Sequence, residues 1–179
     1  MKPLLLVDVD GVLNPYDAKP TKRPAGYETY YQDYYDKHYG KRRRMRIWLN
    51  KTHGPMLTEW AARKGFELAW CTTWGEEANT WIAPKIGLNE SWPVVNFDKA
   101  ELMNPAVWKF AGVTRFAQDR SLVWLDDDFK YFKYARDEFH FRRSNFTNTT
   151  MYQVDPSVGL TETDLDKIAI HVVTQWQTF

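Results

Sequence analysis

Asp8 and Asp10 stand one residue apart where the apolar run Leu4, Leu5, Leu6, Val7 ends, in the stretch KPLLLVDVDGVLNP. Side chains alternate along an extended chain, so the two carboxylates are expected on the same side. Carboxylates held that close repel unless a proton or a cation lies between them. A second acidic set, Asp126, Asp127 and Asp128, ends the apolar run in SLVWLDDD, and Thr72 and Thr73 end another in FELAWCTTW. Carboxylates gathered without His or Cys partners favour a hard, oxygen-seeking cation such as magnesium, which takes one or two carboxylates, several waters and a substrate phosphate. Ordinary turn chemistry explains a lone D-x-D-G, but it does not call for three acids after a second strand. A calcium loop is excluded by spacing: counting from Asp8, the sixth position is Leu13 rather than Gly and the twelfth is Lys19 rather than Glu.

The apolar runs that lead to these groups are continuous, which reads as strands buried on both faces, as in a parallel sheet. Parallel strands share one carboxyl edge, so groups far apart in sequence can meet there. Between the strands lie helical signals. HGPMLTEWAARKG has Pro55 near its start, Leu57, Trp60 and Ala61 on one face and Gly65 as a stop. GEEANTWIAPKIG is predicted as a helix with Glu76 and Glu77 at its amino end. NPAVWKFAGVTRFAQ begins with Asn104 as cap and Pro105 in the first turn, and FKYFKYARDEF also reads as helical. VVNF and TMYQVD read as short strands. Thr161 with Asp164 resembles a capping box, followed by Leu165, Ile168, Ala169, Val172, Val173 and Trp176 at helical spacing. The alternation predicts an α/β fold: a Rossmann-like open parallel sheet with helices on both faces, a single domain over residues 1–179.

The chain has 179 residues, enough for one sizeable core, and a net charge of +1 that gives no global reason for a polyanion partner. Locally the picture differs. In residues 14–53, which follow the first strand, Lys37 to Lys51 holds seven Lys or Arg and no acid beside Tyr27, Tyr30, Tyr31, Tyr34, Tyr35 and Tyr39. Gly40 between the two runs suggests a β-hairpin or a loop with its own small fold. Cations beside aromatics suit single-stranded nucleic acid, which makes Arg43, Arg44 and Arg46 candidate substrate-binding residues; a solvated hairpin face with Tyr packed over the domain has the same pattern. Trp48 and Trp74 are candidates to line the site. The single Cys71 excludes an internal disulfide or multi-cysteine zinc site and reads as a packed small side chain. His38, His53, His140 and His171 show no paired metal spacing. No apolar run matches a signal peptide or a membrane span, so the expected setting is the cytoplasm, without a membrane partner.

The motifs resemble those of a known family. DVDGVLNP is similar to the first motif of the haloacid dehalogenase (HAD) superfamily of phosphotransferases, D-x-D-G-[VT]-L, LAWCTTW to its second and the acidic pair in WLDDDF to its fourth. The third motif is a single Lys on the helix before the last of these strands, matched by Lys109 in AVWKFAG, with Lys99 and Lys85 as fallbacks. All four occur in order between Leu4 and Phe129. With WCTTWGEEAN, the combination looks most like an actinobacterial and phage branch related to modules of RNA-repair proteins. The resemblance implies that Asp8 is a nucleophile and Asp10 a general acid and base. It implies that Thr72, or Thr73, and Lys109 hold phosphoryl oxygens, and that Asp8, Asp10, Asp126 and Asp127 form a Mg2+ site. Asp128 is either a ligand or a cap for the following helix, and the insertion would be a small cap over the site. The implied function is a Mg2+-dependent phosphohydrolase working through an aspartyl-phosphate, on a phosphorylated small molecule, a nucleotide or a nucleic-acid end. The alternative is a non-catalytic nucleic-acid-binding module using the basic aromatic insertion, which has no need of Asp10.

Overall fold

The structure, a computed structural model, describes residues 1–36, 39–97 and 108–176. Four strands, β1 (Leu4–Val7), β4 (Glu67–Trp70), β5 (Leu122–Asp126) and β6 (Thr149–Gln153), form a parallel sheet in the order β4-β1-β5-β6. From β1 the chain moves outward to β4, then crosses to the other side of β1 for β5 and continues to β6. That reversal is where open α/β sheets leave a crevice at the strand ends.

Alternation along β1 divides its side chains between two cores. Leu5 and Val7 pack with Leu57, Trp60 and Ala61 of α1 (His53–Lys64) and with Leu165 and Ile168 of α4 (Glu162–Gln175). Leu4 and Leu6 pack with Phe110, Val113 and Ala117 of α2 (Trp108–Ala117) and with Phe139 of α3 (Lys133–Arg143). Helices therefore cover both faces, which is why the strand is apolar at every position. Each such leucine contributes about 1.5–3 kcal/mol by burial. Helix ends follow their expected chemistry: α1 stops at Gly65, which takes φ 75° and closes on the carbonyls of Ala61 and Ala62. α4 starts with the Thr161–Asp164 capping box, both of its reciprocal bonds formed.

The insertion contains a hairpin. β2 (Glu28–Asp36) and β3 (Lys41–Leu49) pair antiparallel from Glu28 opposite Leu49 to Asp36 opposite Lys41, as a two-stranded sheet of their own. An isolated ribbon is marginal in water. This one is anchored at its root by Ile47 and Leu49 in the main core and by Trp48 against Ala18 and Tyr27. The neighbouring loop is clasped from the far end of the chain: the Leu160 amide donates to the Val12 carbonyl (2.7 Å) and the Asp17 amide to the Pro156 carbonyl (3.1 Å).

Three expectations are corrected. GEEANTWIAPKIG is not a regular α-helix: a π-turn over Ala78–Ile82 runs into a 3-10 turn over Ala83–Ile86. Pro84 has no amide to continue an α ladder, and the Asn79 side chain ties the segment to Trp70, Glu76 and Trp92. VVNF makes no strand; Val94 alone bridges Trp70, next to Pro93, which cannot donate. FKYFKYARDEF becomes helical only from Lys133, because residues 129–132 are in turns. Asn104, Pro105 and Lys99 lie outside the described residues, as does His38. Among the described residues, no helix is long and apolar enough to cross a membrane.

Candidate active site

The sheet ladder carries the reactive groups to one edge. Beyond the paired strands, the Asp8 amide donates to the Leu125 carbonyl (3.2 Å) and the Cys71 amide to the Val7 carbonyl (2.8 Å). Asp8 thus sits between Asp126 at the end of β5 and Thr72 just past β4, all three buried. Lys109, the second residue of α2, enters from the face where Phe110 and Val113 pack. Its ammonium donates to Asp8 Oδ2 and, at 2.6 Å, to Asp126 Oδ2.

One carboxylate oxygen from each of Asp8, Asp126 and Asp127 lies within 4.8 Å of the others, and all three side chains are buried. Three carboxylates beside one ammonium leave a formal −2 in the ionised state. Burial pushes the Asp127 carboxyl up to about 6, against the bond from Tyr16. Burial also pushes Asp126 up while Lys109 pulls it down. Burial opposes the charge on Lys109, but Asp8 and Asp126 together hold it protonated well above the ordinary lysine value. A divalent cation with a preference for oxygen fits this donor set in charge and ligand type, and Asp8, Asp126 and Asp127 are the residues that would hold it. Each carboxylate is also oriented by a donor: Asp8 Oδ1 by the Val9 amide (2.7 Å), Asp126 Oδ1 by the Asp128 amide (2.9 Å) and Asp127 Oδ2 by the Tyr16 hydroxyl (2.8 Å). Gly11, at φ 76°, lies so close that an added Cβ would fall 2.1 Å from the Asp127 carboxyl carbon.

The raised Asp127 carboxyl sets a pH dependence. Between the ordinary carboxylate range and about pH 6 the folded protein keeps a proton that the unfolded chain has released, so stability falls as pH rises through that window. A bound cation offsets the loss. Magnesium should therefore raise the melting temperature of chelator-treated protein clearly more at about pH 7.5 than at about pH 5. Equal shifts in thermal unfolding at the two pH values would contradict a carboxylate metal site.

Asp10 is not part of this cluster. The chain turns at Gly11, with the Leu13 and Asn14 amides both donating to the Val9 carbonyl, so strand alternation ends just after Asp10. The Asp10 carboxylate is instead held by Asn14 Nδ2 (2.7 Å) and Trp74 Nε1 (2.9 Å). Burial raises its pKa, against the two hydrogen bonds, as suits a group that must carry a proton for part of a reaction. Asn14 is buried and its amide orientation is set, since Oδ1 accepts the Trp48 amide (3.1 Å) while Nδ2 faces Asp10.

The remaining candidates divide. Thr72 is buried and accepts the Trp74 amide (3.4 Å), whereas Thr73 is exposed. Trp74, expected at a substrate, uses its indole N–H on Asp10 and stacks on Trp81 with centroids 5.4 Å apart. Replacing Trp74 by Phe keeps an aromatic ring and removes that donor, so the Asp10 carboxyl should hold its proton to a higher pH than in the wild type, which an NMR titration of that carboxyl measures. Arg43, Arg44 and Arg46 lie on β3 of the hairpin, and Trp48 is buried at its root. Lys85 donates to the Trp81 carbonyl and covers that ring. Asp128 does not cap α3, whose N-cap is Phe132 without a side-chain bond. Cys71 is fully buried, and burial pushes its thiol well above the ordinary range. His53 is buried under Tyr27 and held neutral, its pKa lowered by burial to about 4. Asn14 and Tyr16 were not among the sequence candidates; nothing in their type or spacing marks them, because their roles depend on the turn at Gly11. Compared with protein-family models, curated proteins and solved structures, the chain matches none.

Proposed function

We propose that this protein is a magnesium-dependent phosphoric monoester hydrolase of the haloacid dehalogenase type, acting through an aspartyl-phosphate on Asp8. The observation that carries the reading is the buried trio Asp8, Lys109 and Asp126, with Asp127 close enough to share a cation with the two acids and Asp10 fixed by two donors of its own. A binding module has no use for two carboxylates kept in such different settings on one loop. Environments that separate paired acids are what acid and base assignments rest on.

In the first step an oxygen of Asp8 attacks phosphorus, the bond to the ester oxygen breaks, and that oxygen leaves with its electron pair and takes a proton from Asp10. In the second, Asp10 takes a proton from water as the water oxygen attacks the same phosphorus. The bond to the Asp8 oxygen breaks, phosphate departs, and both aspartates return to their starting states. Thr72 and Lys109 hold the equatorial oxygens, since phosphoryl transfer depends mainly on positioning and charge stabilisation. Bound magnesium would supply the further positive charge that a phosphate dianion needs to approach three carboxylates.

The test is phosphate release from an aryl phosphate and from mononucleotides, with magnesium and with chelator. Metal-dependent turnover is expected. Its absence from every phosphomonoester, oligonucleotide ends included, would overturn the reading in favour of a nucleic-acid-binding module.

A further inference from the structure

The hairpin register sorts its side chains onto two faces. On one face are Glu28 and Leu49, Tyr30 and Ile47, Gln32 and Met45; on the other, Thr29 and Trp48, Tyr31 and Arg46, Asp33 and Arg44. The first face is used on the domain: Ile47 and Leu49 are buried, Tyr30 meets the edge of Trp81, and Gln32 Nε2 donates to Glu77 (2.9 Å). The second is a row of guanidinium and aromatic groups. The Arg46 guanidinium lies 3.7 Å over the Trp48 ring, and that of Arg44 lies 5.9 Å from the Tyr31 centroid. Tyr31 is 60% exposed. Exposed Arg42 follows along β3, and exposed Arg23 joins the root by donating to Thr29 Oγ1 (2.9 Å).

This row begins beside the proposed active site. The Trp48 amide bonds Asn14 Oδ1, and the same side chain bonds Asp10. One asparagine thus joins the root of the outer face to the candidate acid and base, and from Trp48 the row runs outward along β3. Same-face residues on a strand recur every ~7 Å, a spacing comparable with that of phosphates along an extended single strand. A guanidinium lying over a ring keeps edge N–H groups for phosphate oxygens. An exposed tyrosine between such groups offers a flat surface to a base.

We propose that the outer face of the hairpin is a track for single-stranded nucleic acid, whose terminal phosphate monoester it leads to Asp8. The fate of that phosphate rests on the hydrolase reading; the track does not. The ion pair of Arg44 with Asp33 (2.8 Å) is exposed on both sides, so it is weak and readily exchanged for phosphate. An acidic peptide would satisfy the cations but leave the Tyr31 ring without a stacking partner.

The experiment uses the whole protein and short single-stranded DNA and RNA oligonucleotides carrying a 5′ or a 3′ phosphate, with binding followed by fluorescence anisotropy at several salt concentrations. Turnover of the same oligonucleotides is compared with that of an aryl phosphate. The variant Arg42→Gln, Arg44→Gln, Arg46→Gln should raise Kd at least about 10-fold and reduce the salt slope by roughly one per arginine in phosphate contact. It should also lower the ratio of oligonucleotide to aryl phosphate kcat/KM by a similar factor. Tyr31→Ala should weaken oligonucleotide binding without changing the salt slope. Arg63→Gln, on exposed α1 surface, serves as the charge control and should bind as wild type. Triple-variant binding within twofold of wild type, or displacement of the oligonucleotide by polyglutamate at equal charge, would overturn the track. Aryl phosphate turnover with oligonucleotides bound no better than mononucleotides would also overturn it and leave the hydrolase reading standing. Arginine-dependent oligonucleotide binding without turnover of any substrate would support the track and sink the hydrolase reading.

Discussion

Asp8→Asn should reduce magnesium-dependent phosphate release by about 10⁴-fold or more, the scale on which enzymes lose rate when a nucleophile is removed. The substitution is nearly isosteric. Its amide oxygen can still accept the Val9 amide, and Lys109 keeps its bond to Asp126, so the folded state should persist. What disappears is a charged oxygen able to attack phosphorus. The wild-type protein, quenched in acid during turnover, should carry an added phosphoryl group on the peptide that contains Asp8, detectable by mass; the variant should carry none. Turnover surviving in Asp8→Asn, with unchanged metal dependence, would sink the covalent mechanism.

Lys109→Met should cost activity by about 10³-fold and destabilise the metal-free protein by roughly 3–5 kcal/mol, because removing one partner of a buried ion pair leaves the others uncompensated. Asp8 and Asp126 would then face each other with no cation between them. The sign of the pH dependence follows. Without the ammonium, Asp126 takes a proton at higher pH than in the wild type, so the deficit should shrink on acidification and be largest above neutrality. Urea unfolding in chelator at about pH 8 and about pH 5 measures both quantities. A variant as stable as wild type at the higher pH would mean that Lys109 contributes nothing net to holding the two acids together.

Much of the scaffold was legible because burial leaves a simple trace. Leu4 to Val7 is apolar at every position since the sheet is covered on both faces, and the acids at Asp8 and Asp126 mark where the cover ends. Thr161 and Asp164 announced α4 because capping is a local interaction. Less legible were features that depend on long-range geometry. Lys109 was singled out by the family resemblance; as a residue type it is one more lysine on an amphipathic helix, and only the packing of Phe110 and Val113 turns it inward. The bonding of Asp10 to Asn14 and Trp74 was hidden because period-two alternation holds only while the chain is extended, and Gly11 takes it into a turn. The hairpin could be suspected from Gly40, but only the register shows that Arg42, Arg44 and Arg46 share a face with Tyr31 and Trp48 while Arg43 falls on the opposite one.

The clasp on the loop after Asp10 has a consequence for how this chain is made. Every group assigned to the chemistry precedes Phe129, yet the Val12 carbonyl is bonded by Leu160 and the Asp17 amide by Pro156. α4, which begins two residues after Leu160, fills the space beside Trp60, whose indole donates to the Leu165 carbonyl (3.2 Å). A nascent chain leaving the ribosome therefore carries its full reactive set well before it carries the segment that holds Asp10's loop in place. Competence arrives late in synthesis, with the fastening rather than with the tools.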